Sequence, residues 1–344
     1  MHSHKELESL VSVDMDAGEV FSGKRSGTTV KGYAKATSYT PAIHPEFIYH
    51  DAMRDIVVWF MSPPEPLYVF GPTGSGKTSL IRQLAAKLHY PVFEVTGHSR
   101  LEFPELLGHL SLDNGSMRYE YGPLALAMKY GGLVLINELD LLDPATAAGL
   151  NSVLDGSPLC ISDNGGEMII PHPMFRFVAT ANTNGGADET GLYQGTLRQN
   201  IAFMDRFWLC ELGYPPADAE LSLLQKVAPR LPETIRSAMV DFAGEVRKLF
   251  MGNGENSEHS IELTFSTRAL IRWAELTVKF QPLARQGIQP VSYALYKFIS
   301  FLGIMSRTYS VFLSVEKSLS LGWSKSPRPP LTRGPSNSLI LLAR

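Results

Sequence analysis

The sequence predicts an α/β protein. A five-stranded parallel sheet is covered by helices, interrupted by two β-hairpins, and followed by a small all-α domain. Three observations carry this. Over residues 46–213 short, nearly continuous apolar runs alternate with amphipathic segments, the pattern of strands buried on both faces. Two segments in that region place Asn-Gly between β-prone flanks, the favoured turn of a tight hairpin because both residues tolerate positive φ. After Pro215-Pro216 the apolar spacing becomes helical, over residues 214–310.

Taken in order, residues 1–45 are rich in Gly, Ser, Thr and Lys with few apolar clusters, and read as an extended arm. PLYVF (66–70), PVFEV (91–95), GLVLIN (132–137), MFRFVATA (174–181) and FWLCELG (207–213) read as the strands, with SLIRQLAAKL (79–88) and PATAAGLNSVL (144–154) as helices between them. LSLDNGSMRYEY (110–121) and LCISDNGGEMII (159–170) read as the hairpins, turning at Asn114-Gly115 and Asn164-Gly165; plain surface loops are the alternative. ADAELSLLQKV, ETIRSAMVDFAGEVRKLF, TRALIRWAELTVKF and SYALYKFISFLGIM supply the all-α domain. Residues 311–344 are Ser/Pro-rich and basic, and read as a disordered tail.

Composition sets bounds on function. The 344 residues leave room for two domains. A net charge of −3 gives no overall basic field, so nothing points to nucleic acid or anionic lipid. Apolar runs fall short of the ~18 residues a membrane span needs, and the N-terminus lacks the apolar core of a signal peptide. Cys160 and Cys210, each in an apolar run, read as buried thiols of a reducing compartment, not as a disulfide or metal pair. The expectation is a cytoplasmic protein. His98 and His109 flank a polar stretch and read as structural.

One motif carries chemistry directly. GPTGSGKT (71–78) fits G-x-x-x-x-G-K-[ST] and lies between a strand and a helix, as a phosphate-binding P-loop requires. Gly71, Gly74 and Gly76 let the backbone bend, so that the N–H groups of a loop completed by Pro72, Thr73 and Ser75 point inward. The helix N-terminus adds its partial positive charge. Lys77 is expected to reach the β- and γ-phosphates of ATP, and the Thr78 hydroxyl to ligate Mg²⁺. Glu138 follows the GLVLIN strand, where it could polarise a water in line with the γ-phosphate. Asn182 ends the next strand pattern, where its amide could hold that water or the phosphate; a simple strand-end turn is the alternative.

The P-loop, Glu138, Asn182, MDRF (204–207) and FSTRALIRWA (265–274) resemble, in that order, the AAA+ ATPases. The resemblance implies that Arg206 is a finger reaching into a neighbour's site, with Arg198 as competitor, and that Arg268 is the sensor-2 arginine of the helical lid. The two hairpins, GPLALAMKYGGLVLINELD and NTNGGADETGLYQGTLRQNIAFMDRF are similar to the MoxR-type branch, and within it to ATPase subunits of aerobic cobaltochelatase. More loosely, so are VFSGKRSGTTVKGYA and YTPAIHPEFIYH of the arm. The resemblance spans roughly residues 11–300. It implies an ATP-hydrolysing, head-to-tail homo-oligomeric ring, usually a hexamer, that remodels a protein partner, with a von Willebrand A-type partner implied. The alternatives are the ATPase of a metal-insertion complex and a nucleotide-gated scaffold with little turnover. Asn137 is the departure, since most relatives have Asp there. It keeps a carbonyl acceptor for the metal's surroundings but loses the charge, which predicts a slow ATPase. Asn137→Asp is therefore expected to tighten Mg²⁺ use by up to ~10–100-fold.

Overall fold

The computed structural model describes residues 4–50, 53–113, 115–186, 193, 195–251 and 265–301. The proposed tail (311–344) lies outside these residues. The chain opens with α1 (Lys5–Glu8), β1 (Ser12–Asp16), α2 (Ala17–Ser22) and β2 (Thr29–Tyr33), then α3 (Arg54–Met61). The α/β region runs β3 (Leu67–Phe70), α4 (Lys77–Lys87), β4 (Val92–Thr96), α5 (Phe103–Leu107), β5 (Gly108–Asp113), β6 (Ser116–Tyr121), α6 (Pro123–Tyr130) and β7 (Leu133–Asn137). It continues through α7 (Pro144–Gly149), α8 (Asn151–Leu154), β8 (Leu159–Ile161), β9 (Glu167–Ile169), β10 (Arg176–Ala181), α9 (Ile201–Met204) and β11 (Trp208–Glu211). Four helices follow: α10 (Ala217–Val227), α11 (Glu233–Met251), α12 (Thr267–Phe280) and α13 (Pro290–Phe301).

The five strands expected from the apolar runs form one parallel sheet in the order β11-β3-β10-β7-β4. Strand alternation sorts their side chains into two cores, because successive residues point to opposite faces. Tyr68, Val134, Ile136, Phe177 and Ala179 pack with α6–α8 on one face. Leu67, Val69, Leu133, Leu135 and Val178 pack with Trp59 of α3 and Leu80, Ile81 and Leu84 of α4 on the other. A third core, around Leu224, Phe242, Phe265 and Trp273, holds the helical region together. Register brings Phe70 level with Ala181 and Thr96 level with Asn137, so the strands end along one edge. In open α/β sheets the crevice beyond the carboxyl ends of the strands is where ligands bind.

The arm is not simply extended. β1 pairs antiparallel with β2, and Leu7, Ala17, Val30 and Tyr33 are buried. The Tyr33 hydroxyl donates to the Gly131 carbonyl at 2.7 Å. These apolar residues are scattered along the sequence, and they join the two cores that flank the sheet. A reading that looks for clusters therefore passes over them.

Both hairpins form. β5 and β6 pair from Gly108↔Tyr121 to Asp113↔Ser116; Asn114 of the expected turn lies outside the described residues. β8 and β9 pair from Leu159↔Ile169 to Ile161↔Glu167. Their turn is longer than the tight one expected: a 3₁₀ turn over Ser162–Asn164 precedes Gly165 and Gly166, both at positive φ. The hairpins are tied to each other and to α6. Glu167 accepts from Tyr121 Oη at 2.6 Å, Lys129 Nζ at 2.8 Å and Asn164 Nδ2 at 2.6 Å. Cys210 is buried as expected, but Cys160 is exposed. Leu159 and Ile161 of β8 face inward, so the residue between them must face out. Among the described residues no helix is long and apolar enough to cross a membrane.

Candidate nucleotide site at the strand ends

The loop between β3 and α4 needs its glycines for contact as well as for turning. Gly71 has φ +147°, and a Cβ there would lie 2.2 Å from the Leu212 carbonyl oxygen. Gly74 has φ +71°, and a Cβ would lie 2.4 Å from that of Ser266 at the mouth of α12 and 3.8 Å from that of Arg268. The loop is thus closely backed by the helical region. Both polar backbone groups of Thr73 are held by tyrosines: its N–H donates to Tyr193 Oη at 3.3 Å, and its carbonyl accepts from Tyr214 Oη at 3.1 Å. Pro72 and Ser75 complete the loop, with the Ser75 hydroxyl buried and lacking a hydrogen-bond partner.

Lys77 begins α4 and is 8% exposed. Its ammonium donates to the carbonyls of Gly71 (2.7 Å) and Pro72 (3.0 Å) and to Asn182 Oδ1 (3.2 Å). Burial pushes its pKa down to about 8; the Asp140 charge opposes this, the Arg268 charge adds to it, and Glu138 opposes it. The lysine therefore stays mostly charged near neutral pH, and an anion beside it would raise its pKa again.

Asn182 is placed by a residue that the sequence reading assigned no role. Asp140 is fully buried, and its Oδ2 accepts from the backbone N–H of Asn182 (2.9 Å) and Thr183 (3.0 Å) and from Thr183 Oγ1 (3.2 Å). Its carbonyl accepts from Leu197 N. One acid, two residues past Glu138, thereby ties the end of β7 to the end of β10. Glu138 is exposed between buried neighbours and has φ 55° and ψ 44°, the left-handed region. For a non-glycine residue that conformation costs about 1–3 kcal/mol and concentrates at functional sites. His89, also at φ 56°, shows that such strain is not confined to this crevice.

Thr78, Asn137 and Thr180 form an oxygen cluster beside Lys77. Asn137 Oδ1 accepts from Thr78 Oγ1 at 2.6 Å and from Thr180 Oγ1 at 3.0 Å, while its Nδ2 donates to Glu94 Oε1 at 2.7 Å. Hydroxyl, amide and carboxylate oxygens are the donors that hard cations such as Mg²⁺ prefer, so the residues present fit that ion. Of the predicted arginines, Arg268 bears electrostatically on Lys77. Arg206 is engaged elsewhere, by Asp155 at 2.8 and 3.1 Å and by the Ala202 carbonyl. Arg198 is exposed. His98 accepts from Arg100 N and His109 lies 3.9 Å from Glu120. Among the described residues no group of three or more His, Cys, Asp or Glu could hold a metal.

Sequence reasoning also missed a buried assembly behind the site. Arg247 (α11) donates to both Glu220 oxygens (α10) at 2.8 Å and to the Phe265 carbonyl at 2.7 Å, and lies 4.2 Å from the Tyr214 ring. Thr267, at the start of α12, donates to Glu220 at 2.6 Å. Phe265 and Thr267 lie in the FSTRALIRWA segment that the sequence marked, whereas Arg247, Glu220 and Tyr214 carried no local signal.

A P-loop on a central parallel strand, a strand-end Glu and Asn beside it, and a helical region against the loop define a P-loop nucleoside triphosphatase of the AAA+ class. Comparison narrows this. Residues 66–199 match the AAA domain (dynein-related subfamily) and residues 220–300 the CbbQ/NirQ/NorQ C-terminal family. The aerobic cobaltochelatase subunit CobS of a Sinorhizobium species is 30% identical over 280 residues, covering 78% of this chain and 82% of that protein. Midasin of Dictyostelium discoideum is 30% identical over 226 residues, 65% of this chain but 4% of midasin. A Thermotoga maritima RuvB variant matches with a TM-score of 0.44 and 15% identity, covering 74% of this chain and 66% of that one. The chain belongs to the AAA+ ATPases, in the MoxR-type group with CobS-like proteins.

Proposed function

We propose that this AAA+ ATPase binds ATP between its α/β domain (46–213) and helical lid (214–310), hydrolyses it, and uses the cycle in a homo-oligomeric, head-to-tail ring to remodel or activate a protein partner. The observation that carries the reading is the convergence of Lys77 and Asn182 at 3.2 Å and of Thr78 and Asn137 at 2.6 Å. It brings the loop and both strand ends within reach of one triphosphate. In this reading the phosphates replace the loop carbonyls as partners of Lys77, and backbone N–H groups of the loop and the start of α4 bind them. Thr78, with Asn137 behind it, would hold magnesium, whose charge offsets that of the phosphates. Glu138 accepts a proton from the attacking water, Asn182 orients that water, and Arg268 contacts phosphate from the lid. Arg206 acts in trans, after leaving Asp155. A neutral Asn137 favours slow turnover. Six subunits and a von Willebrand A-type partner are proposed on family resemblance, and a cytoplasmic setting on the two unpaired cysteines.

A second reading is favoured by the match to a cobaltochelatase subunit: this chain is the ATPase of a metal-insertion complex. One experiment tests both. Phosphate release is measured for wild type and Lys77→Ala, and proteins retained by an ATP-locked Glu138→Gln ring are identified. Turnover lost in Lys77→Ala, with retention of a client or A-type partner, supports the motor. A retained large chelatase subunit supports the second reading. Tight ATP binding without phosphate release would leave the scaffold reading standing.

A further inference from the structure

Every polar atom of the Asn137 amide is engaged, and Asn137 is only 9% exposed. Oδ1 accepts from Thr78 and Thr180, and Nδ2 donates to Glu94. These partners are not interchangeable. A hydroxyl can donate or accept, but a carboxylate can only accept, so Glu94 alone decides which way the amide faces. With Nδ2 turned to Glu94, Oδ1 must face Thr78. Were Glu94 neutral, the amide could turn over and present its N–H₂ to Thr78 and to any cation held there. Glu94 reaches this position because β4 pairs with β7 and Thr96 lies level with Asn137. Its second oxygen lies 3.6 Å from Arg82 Nε, but that arginine is half exposed and the pair is screened by solvent.

We propose that Glu94 is the positioning carboxylate of the magnesium site. It locks the Asn137 amide oxygen toward Thr78 and supplies, through that amide, the negative charge that Asn137 lacks. The proposal rests on the P-loop reading above. It also reverses the expectation for Asn137→Asp. An aspartate there would face the Glu94 carboxylate at the 2.7 Å now spanned by an N–H donor, and like charges at that separation repel. The acid stands on β4 and the amide on β7, so placing an acid on β7 alone duplicates a charge and removes the hydrogen bond.

The test is equilibrium binding of a fluorescent ADP analogue in magnesium and in EDTA, with thermal unfolding to confirm that each variant is folded. Wild type sets the gain in affinity that magnesium brings. Glu94→Gln should cut that gain by ~10–100-fold, the usual effect of losing a group that supports a metal ligand, with EDTA affinity unchanged. Asn137→Asp alone should not raise the gain. The double variant Glu94→Gln/Asn137→Asp should return to within ~threefold of wild type, because the Gln amide can donate to the new carboxylate. The idea is overturned if Glu94→Gln keeps the wild-type gain, or if Asn137→Asp alone increases it. It is equally overturned if Arg82→Gln reproduces the loss, since Glu94 would then act through the ion pair and α4. Absence of nucleotide binding by wild type in both conditions would instead overturn the P-loop assignment.

Discussion

The buried ion pair behind the site offers the largest measurable perturbation. In Arg247→Met the Glu220 carboxylate, 1% exposed, loses both of its 2.8 Å donors and keeps only the Thr267 hydroxyl. The Phe265 carbonyl loses its donor as well. Removing one partner of a buried pair costs about 3–5 kcal/mol, because the other charge is left uncompensated. At ~4–8 °C per kcal/mol for a region of about 100 residues, the unfolding midpoint of the helical region should fall by on the order of 20 °C. The consequence for function follows from position. Phe265 and Thr267 flank Ser266, which backs Gly74, and Arg268 comes next. Loosening that turn should raise KM for ATP by a larger factor than it lowers kcat. Arg247→Met/Glu220→Leu removes both charges, and apolar replacement of a whole buried pair is often neutral or stabilising. It should recover most of the midpoint. The measurements are thermal unfolding by circular dichroism and steady-state turnover against ATP. A shift below ~2 °C for the single variant, or a double variant no more stable than the single, would refute the argument.

Three further outcomes are expected. Glu138→Gln keeps nucleotide binding and lowers turnover by ~10²–10⁴-fold, the usual contribution of a positioned general base; unchanged phosphate release would assign the water to another residue. Arg206→Ala leaves ATP binding by the monomer intact and lowers hydrolysis by ~10³-fold or more. Mixed with Glu138→Gln subunits it regains activity, and rings that fail to recover would move the finger to Arg198. In EDTA, nucleotide affinity is steady below pH 8 and weakens above it, toward tenfold per pH unit. Burial holds free Lys77 near a pKa of about 8, and the amine must take up a proton to meet phosphate. Titration from pH 7 to 9.5 checks this, and a flat profile would count against Lys77 contacting the phosphates.

Much of the fold was legible because its signals are local. Apolar runs marked all five strands of the sheet, Asn114-Gly115 marked the hairpin of β5 and β6, and the P-loop carries its own spacing in eight consecutive residues. Three kinds of feature were not legible. The scattered anchors of the arm, Leu7, Ala17, Val30 and Tyr33, gain meaning only against a core that lies elsewhere in the chain. The second hairpin closes through a 3₁₀ turn in which the Asn164 amide donates to Glu167, a long-range partner of Tyr121 and Lys129. Asp140 carries no local signal beside Glu138, and only the parallel pairing of β7 and β10 shows it gripping Asn182 and Thr183.

Asn137 shows why a site in a sheet cannot be read from one strand. Along β7 it is a missing charge, and a missing charge argues for weak metal use. Across the sheet it is the middle of a chain that runs from Thr78 Oγ1 through the amide to Glu94 Oε1, in steps of 2.6 and 2.7 Å. Neutral at its centre and charged at its far end, that chain has the polarity that a hydroxyl ligating a cation needs. The order of groups follows from the amide, which accepts from the hydroxyl through Oδ1 while donating to the carboxylate through Nδ2. An aspartate with a neutral residue at position 94 would be the alternative solution, and a chain carrying an acid at both positions would have neither the hydrogen bond nor electrostatic relief. The identity of residue 94 therefore decides what residue 137 can do, although 43 positions separate them in sequence.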